Sequence, residues 1–224
     1  MNFKEFIKKY KHAATLLYVL IYIPWFMYLE KHVVRSYHII HMSIDDKIPF
    51  IEFFIVPYLL WFAYVAITLT FFFFADVKSY NKMCIFLFSG MTIFLIVSTI
   101  YPNGHQLRPI VFARENIFTD LVRGLYSADT PTNLFPSIHV FNSIGTHLAI
   151  AKSEKLKDKK WICKGSFVLM TLIIMSTIFL KQHSVFDVLT AFVMAVVFYS
   201  LVYRNDWEFS GNKQQEYQRT VLTK

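Results

Sequence analysis

The sequence predicts an all-α membrane protein, a six-transmembrane-helix bundle, on three observations. The chain is 55% hydrophobic and only 17% charged, where a soluble domain carries roughly a quarter charged residues. Its apolar residues are gathered into long runs separated by polar connectors. Its lysines and arginines fall mainly in alternate connectors, as they do around helices threaded back and forth through a bilayer.

A bilayer-crossing helix needs about 20 mostly apolar residues. The runs that supply candidates are 13–29, 50–74, 83–101, 137–151, 161–180 and 186–203. The fourth is short and the weakest on hydropathy. It still matters, because an odd number of spans would put His139 and His183 on opposite sides of the membrane. A length of 224 residues suits one integral membrane domain over 1–224, with no repeat and no linker to divide it. The basic start "MNFKEFIKKYKH" leads into an apolar run without a small-residue cleavage site, so it reads as a retained first helix. Cys84 and Cys163 both fall in predicted spans, where they read as small buried apolar residues and not as a disulfide framework.

Lysine and arginine are retained on the cytoplasmic side. With both termini cytoplasmic, that side holds Lys4, Lys8, Lys9, Lys11, Lys78, Lys82, Lys152, Lys155, Lys157, Lys159, Lys160, Lys164, Arg204, Lys213, Arg219 and Lys224. The other side holds Lys31, Arg35, Lys47, Arg108, Arg114, Arg123 and Lys181. The excess supports six spans with both ends inside. It also accounts for the net charge of +8 without nucleic acid, since a run such as "KSEKLKDKK" is a topology signal beside anionic lipid.

On this topology the 102–136 connector is extracytoplasmic and too long for a plain link. Within it "ENIFTDLVRGLY" places Ile117, Phe118, Leu121, Val122 and Leu125 at helical spacing. That pattern fits a helix lying in the membrane interface or an ordinary packed loop helix.

Three polar clusters fall at the same extracytoplasmic level: "QLRP" (106–109), "PSIH" (136–139) and "KQHSVFD" (181–187). Ionisable groups at membrane depth are costly and therefore functional candidates. His183 and Asp187 are four residues apart and share one helical face. A carboxylate there can hold one ring nitrogen and leave the other free as base, nucleophile or metal ligand; the same spacing also suits a local cap. Pro136 suits the first turn of a helix and Ser137 a cap or an anion contact, which would set His139 beside a bound anion. Arg108, extended by the following proline, carries a planar fork matched to phosphate oxygens. Together these residues offer what phosphoryl transfer needs: neutralised oxygens, a nucleophile and an acid. A metal fits the set poorly, since two histidines and one carboxylate make a thin ligand shell.

The motifs resemble those of the type 2 phosphatidic acid phosphatase superfamily, whose membrane members have six spans. Pro136-Ser137-Ile138-His139 matches its Pro-Ser-X-His motif, His183 to Asp187 its His-X-X-X-Asp, and Arg108-Pro109 its Arg-Pro; the matching motifs lie within 102–203. The resemblance implies a metal-independent and cofactor-free lipid phosphatase or phosphotransferase. By it, His183 is the nucleophile that becomes phosphohistidine, Asp187 orients it, His139 protonates the leaving oxygen, and Arg108 with Ser137 holds the phosphoryl group. Two cations of the family's pattern are missing: its first-motif lysine is Tyr101 here, and the Ser-Arg of its third motif is Ser176-Thr177. Lys181 is the candidate to replace them as a phosphate ligand. These departures look closer to the branch with inositol phosphorylceramide and sphingomyelin synthases, which transfer a phospho-headgroup to a lipid alcohol. They also leave room for a catalytically silent protein on the same fold. The expected partners are a phosphorylated lipid substrate and the bilayer, with no nucleic acid; the expected location is the plasma membrane.

Other residues read more plainly. "HIIH" (His38, His41) is a solvated interfacial loop before it is a metal pair. His105 is near enough to Arg108 to touch a headgroup. His147 reads as a packing histidine, and Phe71–Phe74 as the lipid-facing end of the second span. Pro49 and Pro57 fall in that span, where Pro57 predicts a kink and Trp61 reads as packing. A transporter is disfavoured, because no pair of interrupted spans is seen.

Overall fold

The computed structural model describes residues 9–33 and 36–204. Lys4, Lys8, Arg35, Lys213, Arg219 and Lys224, used above to orient the chain, lie outside them. The helices are α1 (Lys11–His32), α2 (Glu52–Ala75), α3 (Val77–Ile100), α4 (Ile117–Ala128), α5 (Ile138–Lys152), α6 (Lys160–Phe179) and α7 (Val185–Arg204). Two short strands, β1 (His38–Ile39) and β2 (Asn103–Gly104), pair in parallel.

Among the described residues, α1, α2, α3, α6 and α7 are the five helices long and apolar enough to cross a membrane. The outer faces of these helices leave Leu20, Ile67, Phe74 and Val193 about two-thirds exposed. Such surface suits hydrocarbon, where the chain need not hide its apolar groups. The expected fourth span forms as a helix, but it does not qualify by length. Its 15 residues rise only about 22 Å, against about 30 Å of hydrocarbon. Among the described residues, five of the six expected spans are thus long apolar helices, and the expected fourth is a shorter, less apolar one.

The position of α5 explains its weak hydropathy. It packs on α2, α3, α6 and α7, and its Asn142, Ser143 and Thr146 are buried. A helix surrounded by protein needs no lipid-facing residues, and its hydroxyls can be satisfied locally. Ser143 Oγ donates to the His139 carbonyl at 2.6 Å and Thr146 Oγ to that of Asn142 at 2.7 Å. The approach of α5 to α3 depends on two glycines. A β-carbon on Gly90 would run into the Phe141 ring, and one on Gly145 into the Phe86 ring. The two rings stack at 4.5 Å, so each helix offers a glycine to the other's phenylalanine.

At the edge of the bundle, α1 is attached to α3 by side-chain hydrogen bonds: Thr15–Tyr80 (2.9 Å), Tyr18–Thr92 (2.9 Å) and Trp25–Thr99 (3.0 Å). Helix α3 starts at Val77 rather than 83 because Asp76 caps it, its Oδ1 accepting the Ser79 N–H at 3.1 Å. Pro49 lies in the connector before α2, not in a helix. Pro57 is the third residue of the regular α-helical part, which begins at Ile55 after one 3₁₀ turn. In a first turn the missing N–H has no partner to lose, so Pro57 opens this part of the helix where a mid-helix kink was expected. The Phe71–Phe74 run is also mixed: Phe74 faces outward, while Phe72 is fully buried. The loop helix α4 is confirmed; Asn116 Oδ1 accepts from Phe118 and Thr119 N–H groups, and Thr119 Oγ1 returns a bond to the Asn116 N–H as acceptor at 2.9 Å.

Candidate active site at one end of the bundle

Two connectors and three helix starts meet at one end of the bundle. The first connector leaves α3 and pairs with β1, and Gly104 then bridges to Thr132. Gly104 is required there, since a β-carbon would press on the Pro131 carbonyl and the Tyr37 ring. Next to it, buried Asn103 accepts the N–H groups of Leu134 (2.9 Å) and Phe135 (3.0 Å) on its Oδ1. These bonds deliver the chain to Ser137, which is the N-cap of α5 and fully buried. Its Oγ accepts the Val140 N–H at a long 3.4 Å. Pro136 lies just before the cap, outside the first turn where the sequence suggested it.

The second connector is the turn from α6 to α7. The Thr177 carbonyl accepts the N–H groups of both Gln182 (2.9 Å) and His183 (3.0 Å), and Lys181 takes a left-handed backbone, φ 52°. Ser184 caps α7, and Asp187 Oδ2 accepts the Ser184 N–H at 2.9 Å. The same Oδ2 lies 3.4 Å from His183 Nδ1. Both readings of the His-X-X-X-Asp spacing therefore hold: the carboxylate caps the helix and also stands behind the imidazole.

Lys181 is engaged elsewhere. Its Nζ donates to the carbonyls of Asp45 and Ile48, both at 2.6 Å. Asp45 in turn accepts the Ser184 hydroxyl (2.6 Å) and the Met42 N–H (2.8 Å) on Oδ2, and the Val185 N–H (2.8 Å) on Oδ1. The 42–48 loop is thus fastened to the start of α7 by a buried carboxylate at a helix N-terminus. Burial lowers the Lys181 pKa, against the pull of Asp45.

The two histidines meet. Their ring centroids are 5.7 Å apart, and the His139 ring lies against Trp61 (4.4 Å) and Tyr58 (4.8 Å) from the first turns of α2. Arg108 approaches through Gln182, whose Oε1 accepts from Nη2. Nη2 also donates to the Thr130 carbonyl (3.2 Å), and Nη1 to the carbonyls of Asp129 (2.7 Å) and Tyr126 (3.4 Å). The guanidinium carbon sits 4.5 Å over the Tyr126 ring. Its pKa is lowered, with burial the main cause, yet an arginine so held stays charged. Nearby, burial raises the Asp129 carboxyl to about 6 against the attraction of Arg108. His105 is pushed down to about 4 by burial. Its Nδ1 accepts the Leu107 N–H at 3.2 Å, which leaves the proton on Nε2 to donate to the Gln182 carbonyl at 2.9 Å. His105 is a neutral strut beneath the turn, not a headgroup contact.

Several buried polar atoms here have no partner: Trp61 Nε1, Arg108 Nε, His139 Nδ1, Gln182 Nε2, His183 Nδ1 and Asp187 Oδ1. Buried polar groups are normally satisfied. Their concentration near two imidazoles leaves this end of the bundle with hydrogen-bonding capacity that the protein itself does not use. Tyr101, by contrast, is drawn away to stack on His38 at 4.3 Å. His41 bonds Asp46 at 2.9 Å and His147 bonds Ser166 at 3.0 Å. Among the described residues no group of three or more His, Cys, Asp or Glu gathers to hold a metal.

Sequence reasoning assembled Arg108, Ser137, His139, His183 and Asp187, and the structure brings these to one end. It overlooked Asp45, Asn103, Tyr58 and Gln182, and read Trp61 only as packing. Gln182 had a signal, being adjacent to His183; Asp45 had none, because its partner is far away in sequence.

The fold and site are those of an integral membrane protein with a polar, histidine-bearing centre set at one end of its helices. Residues 106–210 match the PAP2 superfamily, the superfamily that the three motifs resemble. The matched segment contains Arg108, Ser137, His139, His183 and Asp187. Members of this superfamily are generally phosphatases and phosphotransferases. No curated protein and no solved structure matches the chain.

Proposed function

We propose that the protein is a membrane-integral lipid phosphate phosphatase working through phosphohistidine. The observation that carries the reading is the facing pair His139 and His183, 5.7 Å apart, with the Asp187 carboxylate 3.4 Å behind His183 Nδ1. With the carboxylate on the Nδ1 side of the ring, Nε2 of His183 attacks phosphorus; a P–N bond forms and the P–O bond to the lipid breaks. His139 gives its proton to the departing oxygen. Water then attacks the phosphohistidine while His139 recovers a proton from it, the P–N bond breaks, and phosphate leaves. Arg108 and Ser137 hold the phosphoryl oxygens. Arg108 does so through Nε–H, since its four terminal N–H bonds are taken. Lys181 is occupied by the 42–48 loop and serves the site through that loop. The lysine and arginine distribution supports cytoplasmic termini and an extracytoplasmic site.

A second reading is transfer of the phospho-headgroup to a lipid alcohol in place of water. It is favoured by the seclusion of the centre: His183 is 4% and Gln182 1% exposed, and the rings of Tyr58 and Trp61 lie against the partly buried His139. A panel of lipid phosphates and phospholipid donors, assayed with detergent-purified protein for inorganic phosphate and for transferred headgroup, tests both. The first product supports hydrolysis and the second transfer; neither product, with wild-type protein, overturns the enzyme reading in favour of a silent one.

A further inference from the structure

The family pattern expects two cations that this chain lacks, at Tyr101 and Thr177, and Lys181 does not replace them. What the centre holds instead is neutral donors. We propose that the side-chain amide of Gln182 and the indole N–H of Trp61 bind the phosphoryl oxygens of the substrate, in the role those cations would otherwise fill. The inference rests on the phosphoryl-transfer reading of the same centre and deepens it.

Gln182 is the residue before His183 and is 1% exposed. Its orientation is fixed by chemistry: Arg108 can only donate, so the atom facing Arg108 Nη2 is Oε1, and the free atom is the amide nitrogen. That Nε2 is buried and makes no hydrogen bond of ordinary geometry, although the Tyr58 hydroxyl lies near it, and Trp61 Nε1 is buried without a partner. Both groups are pure donors. Trp61 reaches the centre across His139, with ring centroids at 4.4 Å, and His139 faces His183 at 5.7 Å. With Arg108 Nε, three N–H donors that make no hydrogen bond of ordinary geometry therefore lie at the same end of the bundle as the histidine pair. Unsatisfied buried donors are costly in the free protein, and an oxyanion supplies the acceptors they lack. One cation and two neutral donors attract an anion less strongly than three cations would.

Two substitutions separate this role from the structural one. Gln182→Glu keeps an oxygen to accept from Arg108 and removes the free N–H donor. Trp61→Phe keeps a ring against His139 and removes the indole N–H. Orthovanadate and inorganic phosphate are titrated against detergent-purified wild type, both variants and His183→Ala by isothermal calorimetry, with thermal unfolding to confirm folding. The proposal expects anion affinity to fall at least about 10-fold in Trp61→Phe, which loses one donor, and about 100-fold in Gln182→Glu, which loses a donor and gains a repelling charge. Wild-type affinity in either folded variant overturns the assignment of that donor, while His183-dependent binding in the wild type leaves the phosphoryl-transfer reading standing. Should Gln182→Glu fail to fold, Gln182→Met, which removes the donor without adding charge, takes its place with an expected loss of about 10-fold. Absence of anion binding in the wild type overturns both readings.

Discussion

The ring of His139 faces that of His183 at 5.7 Å between centroids, and neither imidazole Nδ1 makes a hydrogen bond; Asp187 Oδ2 stands 3.4 Å from that of His183. The pair is held by backbone, not by mutual contact. His139 is carried on the first turn of α5, and His183 is fixed by its N–H to the Thr177 carbonyl.

This separation predicts different roles under substitution. His183→Ala abolishes turnover and covalent labelling by a phosphorylated lipid. His139→Ala lowers turnover about 10²–10⁴-fold with an alkyl leaving group, and far less with p-nitrophenyl phosphate esters, whose leaving group needs no proton. Measuring both leaving groups checks the assignment; an equal loss on each would remove His139 from the acid role.

The Asp45 carboxylate joins the 42–48 loop to the start of α7 through Ser184 and Val185. Asp45→Ala leaves a buried hydroxyl and two backbone N–H groups without their acceptor and should lower stability by about 1–3 kcal/mol. Because the loop also anchors Lys181, turnover should fall more than substrate affinity. Thermal unfolding and steady-state kinetics in detergent read the two effects, and an unchanged melting temperature would contradict the clamp.

Gly90 and Phe141 predict a steric cost. Gly90→Ala places a methyl group inside the Phe141 ring, and overpacking of this kind costs about 1–3 kcal/mol. Combining Gly90→Ala with Phe141→Leu should recover part of the loss, and the double-mutant cycle measures how much.

His105 predicts a pH dependence. Its folded pKa is lowered to about 4, below about 6.5 in the unfolded chain. The unfolded state therefore binds the proton first as pH falls. The stability contributed by neutral His105 is complete above about pH 6.5 and is lost progressively towards pH 4, by about 3 kcal/mol in full. Asp129, raised to about 6, acts oppositely in the same window, but it is present in wild type and variant alike. The stability gap between wild type and His105→Gln should thus narrow from pH 7 to pH 4 in thermal unfolding; a constant gap would refute the assignment.

The membrane character, the order of the helices and the three polar clusters were legible in the residues, because hydropathy runs and short motifs are local properties. Even Asp187 as a cap could be anticipated, since Ser184 lies three residues before it. The status of α5 was harder to judge. Its Asn142, Ser143 and Thr146 lower its hydropathy for a reason that lies in other helices: they face protein and never lipid. The same is true of Pro57, whose effect depends on where the regular helix begins.

What the sequence determined by itself is a bundle of apolar helices with Arg108, Ser137, His139, His183 and Asp187 as candidate chemistry. What only the tertiary structure decided is how the remaining polar groups are shared among them. Lys181 is adjacent to the site in sequence, yet its ammonium binds carbonyls of the 42–48 loop. Trp61 is far away in sequence, yet its ring lies on His139. The physical reason is that a side chain's hydrogen bonds depend on distance in space, and distances between helices are set by packing, down to the two glycines that let α3 and α5 touch.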